Sequence, residues 1–231
     1  MYTGNRIAIP FVFIAALSLG ACATNQIEHR QAAEQKARGV SGDVWVASNQ
    51  VDATMLSLDN LMTADASQLP QAYERYSADV DLMRKDATLI NADGAALQKQ
   101  SESQLAEWHK QNNDLRNTDL HENSEQGRRA VWDRSHGMQG AYDRAESSMD
   151  GLLRNLEDVR TALRNDLSTR GVAGIAKTNV QQRAHARAGE VKTDLRQVQA
   201  DSRSLAEALS ASAAPVAATE GSTSSENVTQ R

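Results

Sequence analysis

The fold of this chain is decided by the stretch Val131–Leu163, which reads VWDRSHGMQGAYDRAESSMDGLLRNLEDVRTAL. Its apolar and small residues recur at alternating spacings of four and three, which place them along one stripe of a helix. An unbroken alternation of this kind is typical of a coiled coil or helical bundle, in which each stripe packs against a neighbouring helix. The stripe consists of Val131, Ser135, Met138, Tyr142, Ala145, Met149, Leu152, Leu156, Val159 and Leu163.

Similar stripes run through three other segments of the chain. The longest precedes the one just described and alternates without error as far as Ser101, where two consecutive spacings of four locally unwind the supercoil. Its members are Leu69, Tyr73, Tyr76, Val80, Met83, Ala87, Ile90, Gly94, Leu97, Ser101, Leu105, Trp108, Asn112 and Leu115. The two shorter stripes comprise Val44, Ser48, Val51, Met55, Leu58 and Met62, and then Ala184, Ala188, Val191, Leu195, Val198, Ser202, Leu205 and Leu209.

These stripes predict four long helices, over about 26–66, 70–116, 119–167 and 169–211. Gly39 and Gly42 weaken the front half of the first helix, so we expect a break or fraying near residue 40. Pro70 is tolerated in a first helical turn and is expected to open the second helix. Ser168 is expected to cap the fourth helix.

The least defined boundary lies between the second and third segments. Asn117, Thr118 and Asp119 are each suitable as an N-cap, and Asp119 with Glu122 has the spacing of a capping box. If no turn formed here, the two segments would instead make one very long helix.

Composition and charge exclude several classes of protein. The chain has 231 residues, three prolines and a formal net charge of −5, which excludes a short-stranded β fold and a strongly basic nucleic-acid binder. The first and third segments each carry a net charge of −3 and the fourth carries +3, so we expect the fourth helix to lie beside both. The predicted fold is all-α, an elongated antiparallel bundle of three to four long helices over 26–211, followed by a polar, disordered tail at 212–231.

The N-terminus has the features of an export signal. A basic residue, Arg6, precedes an apolar run of about 13 residues, whereas a membrane-spanning helix needs about 20. The run ends in Leu19-Gly20-Ala21-Cys22, which resembles a bacterial lipobox. We therefore interpret residues 1–21 as a signal peptide cleaved between Ala21 and Cys22, Cys22 as the lipidation site, and 22–25 as the tether. Since Ala23 differs from the aspartate that retains enterobacterial lipoproteins at the inner membrane, we expect an outer-membrane anchor facing the periplasm.

A family resemblance extends from about Tyr73 to Leu209. The residues that carry it are Glu107-Trp108, the polar stretch 117–124, Arg144-Ala145-Glu146-Ser147-Ser148-Met149 and the turn 165–175. They resemble a family of bacterial lipoproteins catalogued as domain of unknown function 2959. The resemblance implies an exported, helical, coiled-coil-like protein, and it brings no known activity or site residues.

No pattern of catalytic or metal-binding residues emerges. The five histidines are scattered, and Asp133-x-x-His136 is the nearest approach to the Glu-x-x-His motif of di-metal bundles. The chain has no zinc-type Cys/His spacing and no glycine-rich phosphate loop. We therefore predict a protein that is not an enzyme and that has no cofactor, catalytic residue or metal site.

The three tryptophans differ in their position relative to the stripes. Trp108 lies on a stripe and is expected in the core, whereas Trp45 and Trp132 lie beside stripe residues and are candidate partner-contact residues. The resulting hypothesis is a lipid-anchored envelope protein that acts by protein–protein contact, as a scaffold, an adaptor or a chaperone-like protein. Its partners would be the membrane through Cys22 and either another envelope protein or a second copy. The alternative is a bundle that binds a metal or a small apolar ligand among its small seam residues.

Overall fold

The computed structural model describes the backbone of residues 20–211 and the side chains from residue 31 onward, except at position 33. Four long helices and one short helix account for nearly all of this range. The long helices are α1 (Gly20–Thr63), α2 (Leu69–Asn113), α3 (Thr118–Asn165) and α5 (Val180–Ala211), and the short helix is α4 (Thr169–Ala176). The predicted all-α bundle is thus confirmed.

The long helices form a closed circuit. Helix α1 packs against α2 and α5, and α3 packs against the same two helices, so α1 and α3 stand diagonally across the bundle. The predicted placement of the last long helix beside the first and third is therefore confirmed. Each helix touches two neighbours, and so a further row of residues is buried beside the predicted stripe. On α1 this row includes Ala47, Thr54 and Leu61.

Helix α1 shows where the sequence-based prediction of a break was wrong. It is continuous through Gly39 and Gly42, although each glycine costs about 1 kcal/mol in a helix interior. Ala37, Val40 and Val44 are buried around the two glycines, and this packing holds the helix together. Tertiary contacts override local propensity here.

Two of the predicted boundaries are confirmed by their capping contacts. The Asn117 side chain accepts a hydrogen bond from Leu120 N at 3.1 Å, so α2 and α3 are separate helices. Ser168 Oγ accepts one from Gly171 N at 3.1 Å and caps α4. Pro70 occupies the first turn of α2, as predicted. Leu115, the last residue of the stripe predicted for α2, lies past the end of that helix and is 39% exposed.

The predicted fourth helix is divided in two. Helix α4 ends at Ala176, and α5 begins only at Val180. Thr178 lies at this break: its backbone N and its Oγ1 both donate to Ile175 O, at 2.8 and 2.7 Å, and its Oγ1 accepts from Val180 N at 3.3 Å, at the start of α5. A threonine hydroxyl that bonds to nearby backbone in this way competes with continued helix.

Two tyrosines of α2 join it to α3. Tyr73 and Tyr76 donate their hydroxyl protons to the carbonyl oxygens of Arg160 and Leu156, at 3.1 and 2.7 Å. Burial raises the pKa of Tyr76 well above its ordinary value, so its hydroxyl stays a donor. Further along the same interface, the Tyr142 ring of α3 occupies the space that Gly94 leaves in α2.

Gly94→Ala is expected to lower the free energy of unfolding by about 1–3 kcal/mol, because overpacking a core displaces its neighbours. A Cβ at position 94 would lie 2.7 Å from the buried Tyr142 ring. The control is Gly137→Ala, where a Cβ would meet nothing within 4 Å and helix propensity should give a small gain. Urea unfolding followed by circular dichroism measures both. Equal stabilisation by the two variants would contradict the Tyr142 contact.

Candidate functional site

The predicted anchor lies at the edge of the described structure. Residues 1–19 are outside it, and so are the signal peptide's apolar run and the tail at 212–231. The backbone of Ala21 and Cys22 belongs to the first turn of α1, and the segment 22–25 that the sequence indicates as a tether also lies within this helix. The cleavage and lipidation of Cys22 therefore stay predictions.

The two tryptophans proposed for partner contact lie on different helices. Trp45 on α1 is 66% exposed, and Trp132 on α3 is 45% exposed. Trp132 stacks on His136, with 4.0 Å between the ring centroids. Because α1 and α3 stand diagonally, the two tryptophans do not form a single patch. Trp108, by contrast, is buried as predicted, and its Nε1 donates to Ser124 Oγ at 2.9 Å.

A polar cluster joins the end of α2 to the start of α3. Glu125 accepts hydrogen bonds from Asn112 Nδ2 at 3.1 Å and from Arg128 Nε and Nη2 at 2.8 and 2.6 Å. These bonds, chiefly those from Arg128, lower the pKa of Glu125 to about 2. The carboxylate is therefore charged and paired at neutral pH, which suits it to holding the helices together and not to proton transfer.

The α1–α5 interface carries a second polar feature. Lys192 Nζ lies 2.7 Å from Asp52 Oδ2, and one heptad away His185 Nε2 lies 2.8 Å from Asp59 Oδ1. Gln181 Nε2 donates to the same Asp59 oxygen at 2.9 Å. These side chains are largely exposed, and such pairs typically contribute about 0.2–1 kcal/mol each. They set the register of the two helices more than they stabilise them.

A groove between α3 and α5 is lined by six charged side chains. We call it the arginine groove, and its volume is about 610 Å³. Arg144 and Arg154 line it from α3, and Arg183 and Arg187 line it from α5. Glu190 and Asp194 are the acidic side chains in its lining, so four positive charges face two negative ones.

Gly151 forms part of the floor of the arginine groove. It is buried within α3, and a Cβ at this position would collide with Nη1 of Arg187. A glycine in the middle of a helix costs about 1 kcal/mol relative to alanine. The missing side chain lets the Arg187 guanidinium lie against the backbone of α3.

The arginine groove was not predicted from the sequence. Two features of the sequence point towards it: the net charge of +3 on the last segment and the spacing of four between Arg183 and Arg187. Arg144 and Arg154 belong to a segment of net negative charge, which hides their contribution. Only the pairing of α3 with α5 brings the four arginines together.

The histidines and carboxylates considered as metal ligands in the sequence do not come together in the described structure. Among the described residues, no group of three or more His, Cys, Asp and Glu side chains is placed to hold a metal ion. Within the same range, no helix has a stretch apolar enough to cross a membrane.

The structure thus defines a long antiparallel helical bundle with a charged groove along one interface. The chain belongs to the family described as protein of unknown function (DUF2959), whose model matches residues 34–214. This confirms the resemblance inferred from the sequence and extends it across most of α1. No curated protein and no solved structure matches the chain.

The free energy of unfolding should fall as the pH drops from about 4.5 towards 2, because Glu125 has a pKa of about 2 in the folded protein against an ordinary 4.5. A group whose pKa is lowered by folding stabilises the fold above its unfolded pKa and loses that contribution on protonation. Glu125→Gln should therefore flatten this part of the pH profile, measured by urea unfolding. The exposed Glu122→Gln is the matched control, and an identical slope for both variants would contradict the role of Glu125.

Proposed function

We propose that this protein is an outer-membrane lipoprotein whose non-catalytic helical bundle faces the periplasm and acts by contact with another envelope protein. The lipobox-like Leu19–Cys22 supports the location. Its acyl chains would anchor the protein durably, since each buried CH₂ contributes about 0.8 kcal/mol and several chains would be present.

The observation that carries the contact role is the exposure of Trp45. Two thirds of this large side chain faces solvent on α1, and its neighbour Val46 is also exposed. Tryptophan is strongly enriched among the residues that dominate binding energy at protein interfaces. Membership of a family without an assigned activity is compatible with this function. The bundle presents Trp45 and Val46 on a rigid helix.

The anchor is tested with Cys22→Ser. The variant should lose metabolic labelling with palmitate and should leave the membrane fraction, because the thiol is the only atom proposed to carry lipid. Membrane fractionation and labelling are measured together on cells producing either form. Palmitate labelling that persists in Cys22→Ser would contradict the proposal.

The contact role is tested by crosslinking in intact cells. A photo-crosslinking amino acid is placed at Asn49, which is exposed one helical turn after Trp45. We expect a reproducible crosslink to one other protein, reduced at least severalfold by Trp45→Ala because the tryptophan anchors that partner. The matched control places the same crosslinker at Ala200, which is exposed on α5.

The result also separates the proposed function from its alternatives. Crosslinks confined to this chain, or a heteromeric crosslink unaffected by Trp45→Ala, would contradict the contact role at this surface. Crosslinks between two copies would instead identify self-association.

The second candidate function is a bundle that binds a metal or small ligand. One observation favours it, since the buried Gln104 side chain has neither of its amide atoms hydrogen-bonded and Asn112 Oδ1 is likewise unsatisfied. Such groups are rare in folded proteins and sometimes mark a place for a bound molecule. Native mass spectrometry of freshly purified protein would show an added mass, and a clean mass of the chain alone would argue against this function.

A further inference from the structure

We propose that the arginine groove binds an anion carrying neighbouring phosphate groups. The proposal concerns a surface distinct from Trp45, and it does not depend on the lipid anchor. It rests on four features of the groove: its unpaired arginines, the separation of its acidic residues, the glycine in its floor and its size.

Among the residues that the structure describes, the four arginines of the groove have no ionic partner. No carboxylate of the described residues lies within 4.0 Å of the guanidinium groups of Arg144, Arg154, Arg183 or Arg187, although pairs of this kind occur elsewhere on the bundle, for example between Arg160 and Asp81. Arg183 and Arg187 are also one helical turn apart, a spacing at which like charges repel. An anion bound between them would relieve this repulsion.

The positive charge is concentrated at one end of the groove. Helices α3 and α5 run antiparallel, and Gly151 lies beside Arg187. Three residues further along α3, Arg154 therefore lies close to the level of Arg183. In the opposite direction, Arg144 lies near the level of Asp194. The end formed by Arg154, Arg183 and Arg187 thus combines three positive charges. Glu190 lies one helical turn beyond Arg187, and Asp194 lies a further turn away.

The geometry favours phosphate over a single carboxylate. Each guanidinium presents a planar set of donors that matches the oxygens of a phosphate or carboxylate. Three such groups offer more donors than one carboxylate accepts, and a phosphate monoester carries a charge of roughly −1.5 to −2 with three strong acceptor oxygens. The groove of about 610 Å³ is large enough for more than one phosphate group.

The binding test uses the full-length protein in a non-ionic detergent at low ionic strength, with inorganic tripolyphosphate as the probe in isothermal titration calorimetry. We expect one site per chain. The double variant Arg183→Gln/Arg187→Gln should weaken binding at least about tenfold, since it removes two charge-assisted donor sets. Arg196→Gln/Arg203→Gln removes the same charge from α5 outside the groove and should change the affinity less than threefold.

Gly151→Ala tests whether the shape of the arginine groove matters when its net charge is unchanged. This variant keeps every charge but places a methyl group where the Arg187 guanidinium lies, so it should weaken tripolyphosphate binding severalfold. Thermal unfolding is measured in parallel. The melting temperature should be unchanged or higher, because the displaced group is the end of a flexible side chain and alanine favours the helix.

Micelles doped with phosphatidylglycerol provide a second probe, with phosphatidylcholine as the control. Binding of phosphatidylglycerol that is lost in Arg183→Gln/Arg187→Gln would support the site and identify the phosphates of neighbouring lipid headgroups as its ligand. Binding of tripolyphosphate without phosphatidylglycerol would support the site with a soluble anion. The proposal would be overturned if neither probe bound, or if the two double arginine variants weakened tripolyphosphate binding equally. Neither result bears on the crosslinking test near Trp45.

Discussion

The bundle depends on one constraint, which is that each long helix must bury an apolar stripe against two neighbours in a single register. The polar contacts at the flanks of the helices show that a single register holds along the whole interface. Between α1 and α2, Lys36 meets Asp93 at 3.6 Å, and Gln50 Nε2 donates to Asp79 O at 3.1 Å. These contacts are separated by two heptads on both helices. A shift of one helix along another would break the polar contacts and remove the stripe from the core.

Small and polar residues within the stripes have specific structural roles in this arrangement. Gly94 makes room for the Tyr142 ring, so a position that looks like a packing defect in the sequence is filled by another helix. Asn112 donates to Glu125 and helps to close the α2–α3 end of the bundle. Ser202 of the α5 stripe and Gln104, which is buried beside the α2 stripe, have side-chain polar atoms without a hydrogen-bond partner in the described structure.

The surface of the bundle carries two features of different chemistry. Trp45 presents an exposed aromatic side chain on α1, and the arginine groove presents concentrated positive charge between α3 and α5. A rigid helical framework holds both, so each keeps its geometry without a flexible loop. The proposed protein contact and the proposed anion site are therefore physically separable, and one can be altered while the other is left intact.

The sequence by itself determined the all-α class, the stripes that become the core and the cap at Ser168, because helical periodicity and capping are local properties of the chain. At the α2–α3 boundary it left three candidate caps open, and the structure selected Asn117. The net charges of whole segments also predicted that the last long helix lies beside the first and third, and the packing confirms this. Only the tertiary structure decided that α1 runs unbroken through Gly39 and Gly42, since packing against neighbours outweighs local propensity. The arginine groove likewise required the fold, because its residues come from two helices that meet only when the bundle closes.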